Sequence, residues 1–266
     1  MTTGRGGAAT AFTPVIPESP GARQPPRMTA PLLSGLLLAT AAPALPGVTF
    51  DARPLGVTAT VRTVEAQQRE DVPEFFPPRH LRVTLGPQGD EVRELNIYPV
   101  AGLISQYPEP RGGVRTEIGS LRALLRERPA PAGIRGELPF LPLPFAGQVL
   151  NAAVKYLDFP GGRGVRFLVA FSSDVSPLSR KQVFYTFQGL TQDGRHYVAL
   201  QSPVSLRELP EDPFAGPNRA VMDAVNAGEL EAWKAYLTRT RGQLDALTND
   251  ARLTRLDAFV RSLRIR

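Results

Sequence analysis

The clearest signal in the chain is an alternation of apolar and polar residues that recurs in several short segments. In the segment from His80 to Leu85, every second residue is apolar, which is typical of a half-buried β-strand. The same period-two pattern predicts further strands at 48–50, 57–64, 92–98, 149–159, 165–171, 183–190 and 196–204. Turn residues separate successive strands, and Asp193-Gly194 between two alternating runs is the strongest of these hairpin signals. The sequence therefore predicts antiparallel hairpins.

Three other segments have the spacing of amphipathic helices. Between Thr116, the predicted N-cap, and Pro129, which ends the helix, Ile118, Leu121 and Leu125 recur on one face. From Asn218 onward an apolar stripe predicts a helix that Gly228 divides in two, and a second stripe follows the turn at 248–250. The intervening Pro-rich segment 129–144 predicts a long strap.

The strands 165–171 and 183–190 are apolar on both faces, so the predicted sheet needs a cover of helices or straps on each side. The sequence therefore predicts an α+β fold. Its main feature is a mainly antiparallel β-sheet of about six to eight strands flanked by helices. We expect one such domain over residues 45–266.

The amino-terminal part has a different composition. Residues 1–27 are rich in small residues and proline, which predicts a disordered leader; the alternative is an over-extended gene start with Met28 as the first residue. An apolar run follows arginines 23 and 27 and ends in small residues, which predicts a signal peptide over 28–44 with cleavage after Ala44. A short buried helix of a cytosolic protein is the alternative. The run is too short for a stable membrane span, so we expect a soluble extracytoplasmic product.

The composition of the chain excludes several kinds of functional site. The chain has no cysteine, which excludes disulfides, thiolate metal sites and cysteine nucleophiles. Its formal charge is +6 and its basic residues are almost all arginines. These arginines alternate with acidic residues, which is typical of a mixed solvated surface, and we expect no nucleic-acid partner.

Residues suited to catalysis are few. The histidines His80 and His196 both start predicted strands and lack the spacing of a metal motif. Ser173 precedes an aspartate but has no Gly-x-Ser-x-Gly context, so a turn is the better interpretation. The Gly-Gly-Arg-Gly run at 161–164 lacks the Lys-Ser/Thr ending of a phosphate-binding loop. We assign no catalytic residue, no metal ligand and no cofactor.

A ligand pocket is the remaining possibility for the aromatic central part. Polar side chains inside a buried strand need partners, and Arg166 and Gln188 are of this kind. Together with the neighbouring rings of Tyr156 and Tyr185, they are the candidate ligand-binding residues.

Four blocks in the central third carry a resemblance to known proteins. They are Val-Lys-Tyr-Leu-Asp-Phe (154–159), Gly-Val-Arg-Phe-Leu (164–168), Phe-Tyr-Thr-Phe-Gln-Gly-Leu-Thr (184–191) and Asp-Gly-Arg-His-Tyr-Val (193–198). The chain resembles a set of uncharacterised bacterial extracytoplasmic proteins in these blocks. The order of its elements more loosely resembles the PsbP family, which implies an antiparallel sheet between helices, an α/β/α sandwich. No metal-ligand pattern of that family matches this chain, so its photosynthetic role is not implied.

Three functions are compatible with these features. The first is an exported, non-enzymatic binding or scaffold protein of the cell envelope, whose partner is an envelope protein or a small ligand. The second is a secreted hydrolase that uses Ser173 or a site centred on His196. The third is a polyanion-binding module.

Overall fold

The computed structural model of the chain describes residues 45–68, 74–86, 93–108, 113–134, 136–216 and 218–266. The predicted leader and signal peptide, as well as most of the predicted turn between the strands at 80–85 and 92–98, lie outside the described residues. Within the described part, no helix combines the length and the apolar character needed to cross a bilayer.

A seven-stranded antiparallel sheet forms the centre of the fold. In chain order its strands are β2 (Ala59–Val64), β3 (His80–Leu85), β4 (Glu94–Pro99), β5 (Gly147–Phe159), β6 (Gly162–Ser172), β7 (Phe184–Thr191) and β8 (His196–Pro203). Their order across the sheet is β2-β3-β4-β8-β7-β6-β5. The hairpins β5–β6 and β7–β8 join neighbouring strands, as the turn residues predict.

Two terminal strands form a separate small sheet. The strand β1 (Val48–Thr49) pairs in antiparallel register with β9 (Arg264–Ile265) near the carboxyl terminus. Five α-helices complete the described part of the chain: α1 (Val100–Gln106), α2 (Gly113–Glu127), α3 (Asn218–Asn226), α4 (Leu230–Asp245) and α5 (Ala251–Ser262). Short 3-10 turns occupy Arg53–Leu55 and Pro131–Gly133.

Apolar side chains cover both faces of the sheet. On one face, which we call the α4–α5 face, residues such as Leu168 and Phe187 pack against Leu256 and Phe259 of α5. On the opposite α1–α2 face, Val165, Phe167 and Tyr197 pack with the buried side of α2 and with part of the strap. Burial of this extent on both faces is the main source of stability for a chain without disulfides.

The α+β prediction is confirmed, with local differences. The helix α2 begins at Gly113, upstream of the predicted cap Thr116. The helix α1 follows β4 without an intervening turn, and no sequence signal predicted it. Gly228 does separate α3 from α4, and Asp250 caps α5 by accepting a 2.8 Å hydrogen bond from the backbone N–H of Arg252.

Candidate functional site

A wide groove lies where the carboxyl-terminal half of α2 meets the tips of two hairpins. Its volume is about 930 Å³, and its walls come from residues 122–128, from the β5–β6 turn and from the β7–β8 turn. Arginines dominate this lining: Arg122, Arg126, Arg128 and Arg163. We call this feature the arginine groove.

Two of these arginines have ion-pair partners and two do not. Arg128 pairs with Asp158 across the groove wall, and Arg126 contacts its neighbour Glu127 at 3.3 Å. Among the described residues, neither Arg122 nor Arg163 has an ion-pair or hydrogen-bond partner for its side chain. Both side chains belong to exposed residues, so two fixed positive charges face solvent in the groove.

Two glycines shape the tip of the β5–β6 hairpin. Gly161 has φ 87°, a left-handed conformation that favours glycine. A Cβ added at Gly162 would overlap the ring of Phe159 and would lie 2.7 Å from the carbonyl oxygen of Leu190. Because both positions lack side chains, the backbone at this tip remains open to the groove.

Side-chain hydrogen bonds fix the second hairpin tip. The carboxylate of Asp193 accepts from the hydroxyl of Thr191 at 2.6 Å and from the backbone N–H of Arg195 at 3.0 Å. These bonds lower the pKa of Asp193, so it is ionised at neutral pH and balances part of the groove charge.

The predicted ligand residues Arg166 and Tyr185 meet on the α4–α5 face, at a carboxylate that the sequence analysis did not identify. Arg166 donates to Asp257 from Nε at 3.0 Å and from Nη2 at 3.1 Å, and the hydroxyl of Tyr185 donates to the same carboxylate at 3.1 Å. All three side chains are fully buried. Burial, first of all, raises the pKa of Tyr185 well above its usual value.

Two more donors of Arg166 bond to backbone carbonyl oxygens. Its guanidinium donates to the carbonyl oxygen of Ala153, and at 2.7 Å to that of Thr248. Ala153 adopts a left-handed φ of 52° at an irregularity of β5, and its N–H donates to Asp245 Oδ1 at 2.7 Å. This network ties the sheet to α4 and α5 and occupies four of the five N–H donors of Arg166, whose side chain is fully buried.

The other two candidates, Gln188 and Tyr156, lie on the α1–α2 face. The buried Gln188 accepts from the hydroxyl of Tyr197 at 2.7 Å and from the N–H of Leu141 at 3.1 Å. The hydroxyl of Tyr156 donates to the carbonyl oxygen of Pro129 at 3.1 Å, with the Arg128 guanidinium 5.7 Å from its ring centre. The structure therefore divides the four candidates between opposite faces and gives each one a partner within the protein.

The candidate hydrolase residues are far apart. His196 starts β8 at the level where β6 begins, whereas Ser173 follows the last residue of β6. At the rise of a β-strand, the length of β6 separates them by roughly 30 Å. The hydroxyl of the adjacent Ser172 bonds within the turn to Asp174, which agrees with the predicted turn. No shared Ser–His site exists at these positions.

The two histidines have different surroundings. His80 is fully buried, its Nδ1 lies 2.8 Å from the carbonyl oxygen of Pro78, and its Nε2 has no hydrogen-bond partner. Burial lowers the pKa of both His80 and the half-buried His196. Within the described ranges, no group of three or more histidine, aspartate or glutamate residues is arranged to hold a metal ion.

The arginine groove was missed by the sequence analysis, although part of its signal was present. Arg122 and Arg126 are four residues apart, which places them on one face of α2. Arg163 lies in the same groove only because the tertiary fold brings the β5–β6 hairpin to α2. No spacing in the sequence predicts that proximity. Comparison of the chain with protein-family models, with curated proteins and with solved structures finds no match.

Proposed function

We propose that the protein is a non-enzymatic binding module of the cell envelope and that its ligand is an anionic polymer held by the arginine groove. The observation that carries this proposal is the pair of unpartnered, exposed arginines Arg122 and Arg163 on opposite walls of one groove. Guanidinium groups bind phosphates and carboxylates through two parallel hydrogen bonds, so two of them can hold two successive anionic groups.

The extent of the positive surface favours a polymer over a single ion. Arg115 lies seven residues before Arg122 on α2, on the same exposed face, and also has no ion-pair partner among the described residues. At 1.5 Å per residue, the stripe from Arg115 to Arg126 extends about 16 Å along the helix. A chain of repeating phosphate or carboxylate groups can follow such a stripe into the groove, whereas one small anion would use only part of it.

The lining offers little to a nucleic-acid base. Phe159 is the one aromatic residue that lines the arginine groove, and it is buried. Single-stranded nucleic acids bind largely by stacking their bases on exposed aromatic rings. The groove therefore suits the backbone charges of a simple polyanion, such as a phosphodiester polymer of the cell envelope, better than it suits a base-reading role.

The envelope location in this proposal rests on the sequence pattern at 28–44. Amino-terminal sequencing of the mature protein from its native host tests it directly. We expect the sequence to begin near Leu45. A mature chain that starts at residue 1 or 2 and remains in the cytosol would refute the location but would leave the polyanion site open to its own test.

The site is tested by titrating the full chain with long-chain polyphosphate and with poly(glycerol phosphate) at several salt concentrations. The variant that combines Arg122→Ala with Arg163→Ala should bind more weakly, and its log–log salt slope should be smaller by about 1.5, at about 0.7–0.9 per lost contact. Arg219→Ala combined with Arg255→Ala, which removes two exposed arginines of α3 and α5, is the charge-matched control and should bind like the parent protein.

Two results would contradict the polyanion site. One is binding that does not depend on salt, because neutralised phosphates must release counterions. The other is an equal loss of binding in the control, which would indicate that net charge alone attracts the polymer.

A further inference from the structure

A second cavity of about 410 Å³ lies over β3, β4 and β8 on the α1–α2 face. Strand residues form its floor, and the segments 74–77 and 142–145 form its rim. It shares no lining residue with the arginine groove. Its volume is within the range of about 300–1,000 Å³ that is usual for small-molecule sites.

The charges on the floor compensate one another. Arg82 contacts the carboxylate of Glu94 at 3.1 Å, and its Nε donates to Asn96 Oδ1 at 2.9 Å. The side chains of this ion pair are 23% and 18% exposed, so water or a ligand reaches them. On this floor a ligand can therefore accept hydrogen bonds from Arg82 and donate them to Glu94, and the net charge of this pair is zero.

Two further polar groups of the floor have hydrogen-bonding capacity that the protein does not use. Gln201 is directly opposite Glu94 in the sheet, and its side-chain amide has no partner among the described residues. The hydroxyl of Tyr98 also has none, although the residue as a whole is only 2% exposed. Neither group is among the fully buried unpaired atoms of the described residues, so both reach the solvent of the cavity and can bond to water or to a ligand there.

The rim supplies aromatic and apolar surface. Phe145 is 71% exposed, which is unusual for so large an apolar side chain. On the other side Phe75 is held in place by stacking on Tyr107, with ring centres 5.5 Å apart and an angle of 5° between the planes. Both rings line the cavity, so a ligand there contacts aromatic surface.

From these features we propose that the cavity binds a neutral saccharide. Adjacent ring hydroxyls both donate and accept hydrogen bonds, which matches the mixed set formed by Arg82, Glu94, Asn96 and Gln201. The apolar C–H face of a sugar ring matches the exposed ring of Phe145. A charged ligand finds no unpaired counter-charge on the floor, because Arg82 and Glu94 already neutralise one another. The exposed carboxylate of Glu74 on the rim adds a negative charge at the entrance, which disfavours an anion.

Titration of the full chain with glucose, N-acetylglucosamine and maltose, followed by two-dimensional NMR, tests this proposal. At least one of these sugars should shift the side-chain amide signals of Asn96 and Gln201 in a saturable way. Phe145→Ser and Gln201→Ala should each weaken that binding by at least about tenfold. Phe214→Ser removes another exposed ring (52% exposed) and should leave it unchanged.

The outcomes separate this proposal from competing ones. Titrations with choline and with inorganic phosphate represent cationic and anionic ligands, and binding of either at these residues in place of the sugars would overturn it. The absence of any shift with the three sugars at millimolar concentration would also overturn it. Because the two sites share no residue, Phe145→Ser should retain polyphosphate binding, and failure of one proposal does not imply failure of the other.

Discussion

Removing the carboxylate of Asp257 tests whether the buried network on the α4–α5 face holds the helices to the sheet. In Asp257→Ala, the guanidinium of Arg166 remains buried but loses both of its carboxylate contacts, at 3.0 and 3.1 Å. It retains only the neutral carbonyl oxygens of Ala153 and Thr248. An uncompensated buried charge of this kind lowers the free energy of unfolding by about 3–5 kcal/mol.

Two other side chains, Lys155 and Tyr185, also contact the Asp257 carboxylate. The Nζ of Lys155 lies 3.7 Å from the Asp257 carboxylate with its side chain 28% exposed, so it can turn to solvent when the carboxylate is removed. Tyr185→Phe removes a single hydrogen bond to the carboxylate and should cost about 1.5–3 kcal/mol. The ordering Asp257→Ala above Tyr185→Phe is thus expected from the contacts alone.

Urea denaturation followed by circular dichroism measures these differences through the transition midpoint, provided that the slope m is unchanged. The exposed substitution Asp223→Ala is the control and should change the free energy by no more than about 0.5 kcal/mol. Combining Asp257→Leu with Arg166→Met should cost less than the sum of the two single changes, because no unpaired charge remains. A loss below about 1 kcal/mol for Asp257→Ala would refute the reasoning.

Four further substitutions have defined outcomes. Gly162→Ala should lower the melting temperature because the added Cβ has no space. Gly119→Ala, whose Cβ meets no neighbouring atom on the exposed face of α2, should instead stabilise the protein by about 0.5–1 kcal/mol. The side chain of Arg252 lowers the pKa of Asp250 to about 2, so the contribution of this pair is complete above about pH 4 and is lost as the pH falls towards 2. Asp250→Asn should keep the helix cap and flatten the pH dependence of the unfolding free energy in that range. Gln188→Ala leaves a buried hydroxyl and a backbone N–H unpaired, which should cost about 3 kcal/mol in urea denaturation and speed amide exchange in the strap.

Local patterns predicted the sheet well because its strands are short and their turns have distinctive residues. The strand His80–Leu85 was predicted with the observed bounds, and the turn at Asp193-Gly194 joins the two strands expected. The helix α1 was missed because it begins immediately after β4, with neither a turn residue nor an N-cap side chain to separate the two elements. Periodicity identifies a helix or strand in the sequence only when turn or capping residues show where that element begins and ends.

The candidate site was less predictable because polar partners are chosen by the tertiary fold. Burial of Arg166 implied a partner, yet Asp257 is 91 residues away on a helix whose charged residues look like a solvated face. Gln188 also needed partners, and it found them on the opposite side of the sheet. Alternation along a strand gives the face of each residue, but it does not give the residue from a distant element that will cover it.

The same distinction separates the buried polar groups of the core from the accessible groups on which the two binding proposals rest. Arg166 and Gln188 are more deeply buried than any residue of the arginine groove that carries a charge, and their hydrogen bonds are made within the protein. Such groups specify the packing of helices on the sheet, and their burial keeps them from solvent and from ligands. Side chains without a hydrogen-bond partner in the protein lie elsewhere: Arg122 on α2 and Arg163 at a hairpin tip in the arginine groove, and Gln201 on the floor of the second cavity. Under both binding proposals, recognition therefore depends on groups at the hairpin tips and on the accessible surface of the sheet, which the buried network on its other face holds in position.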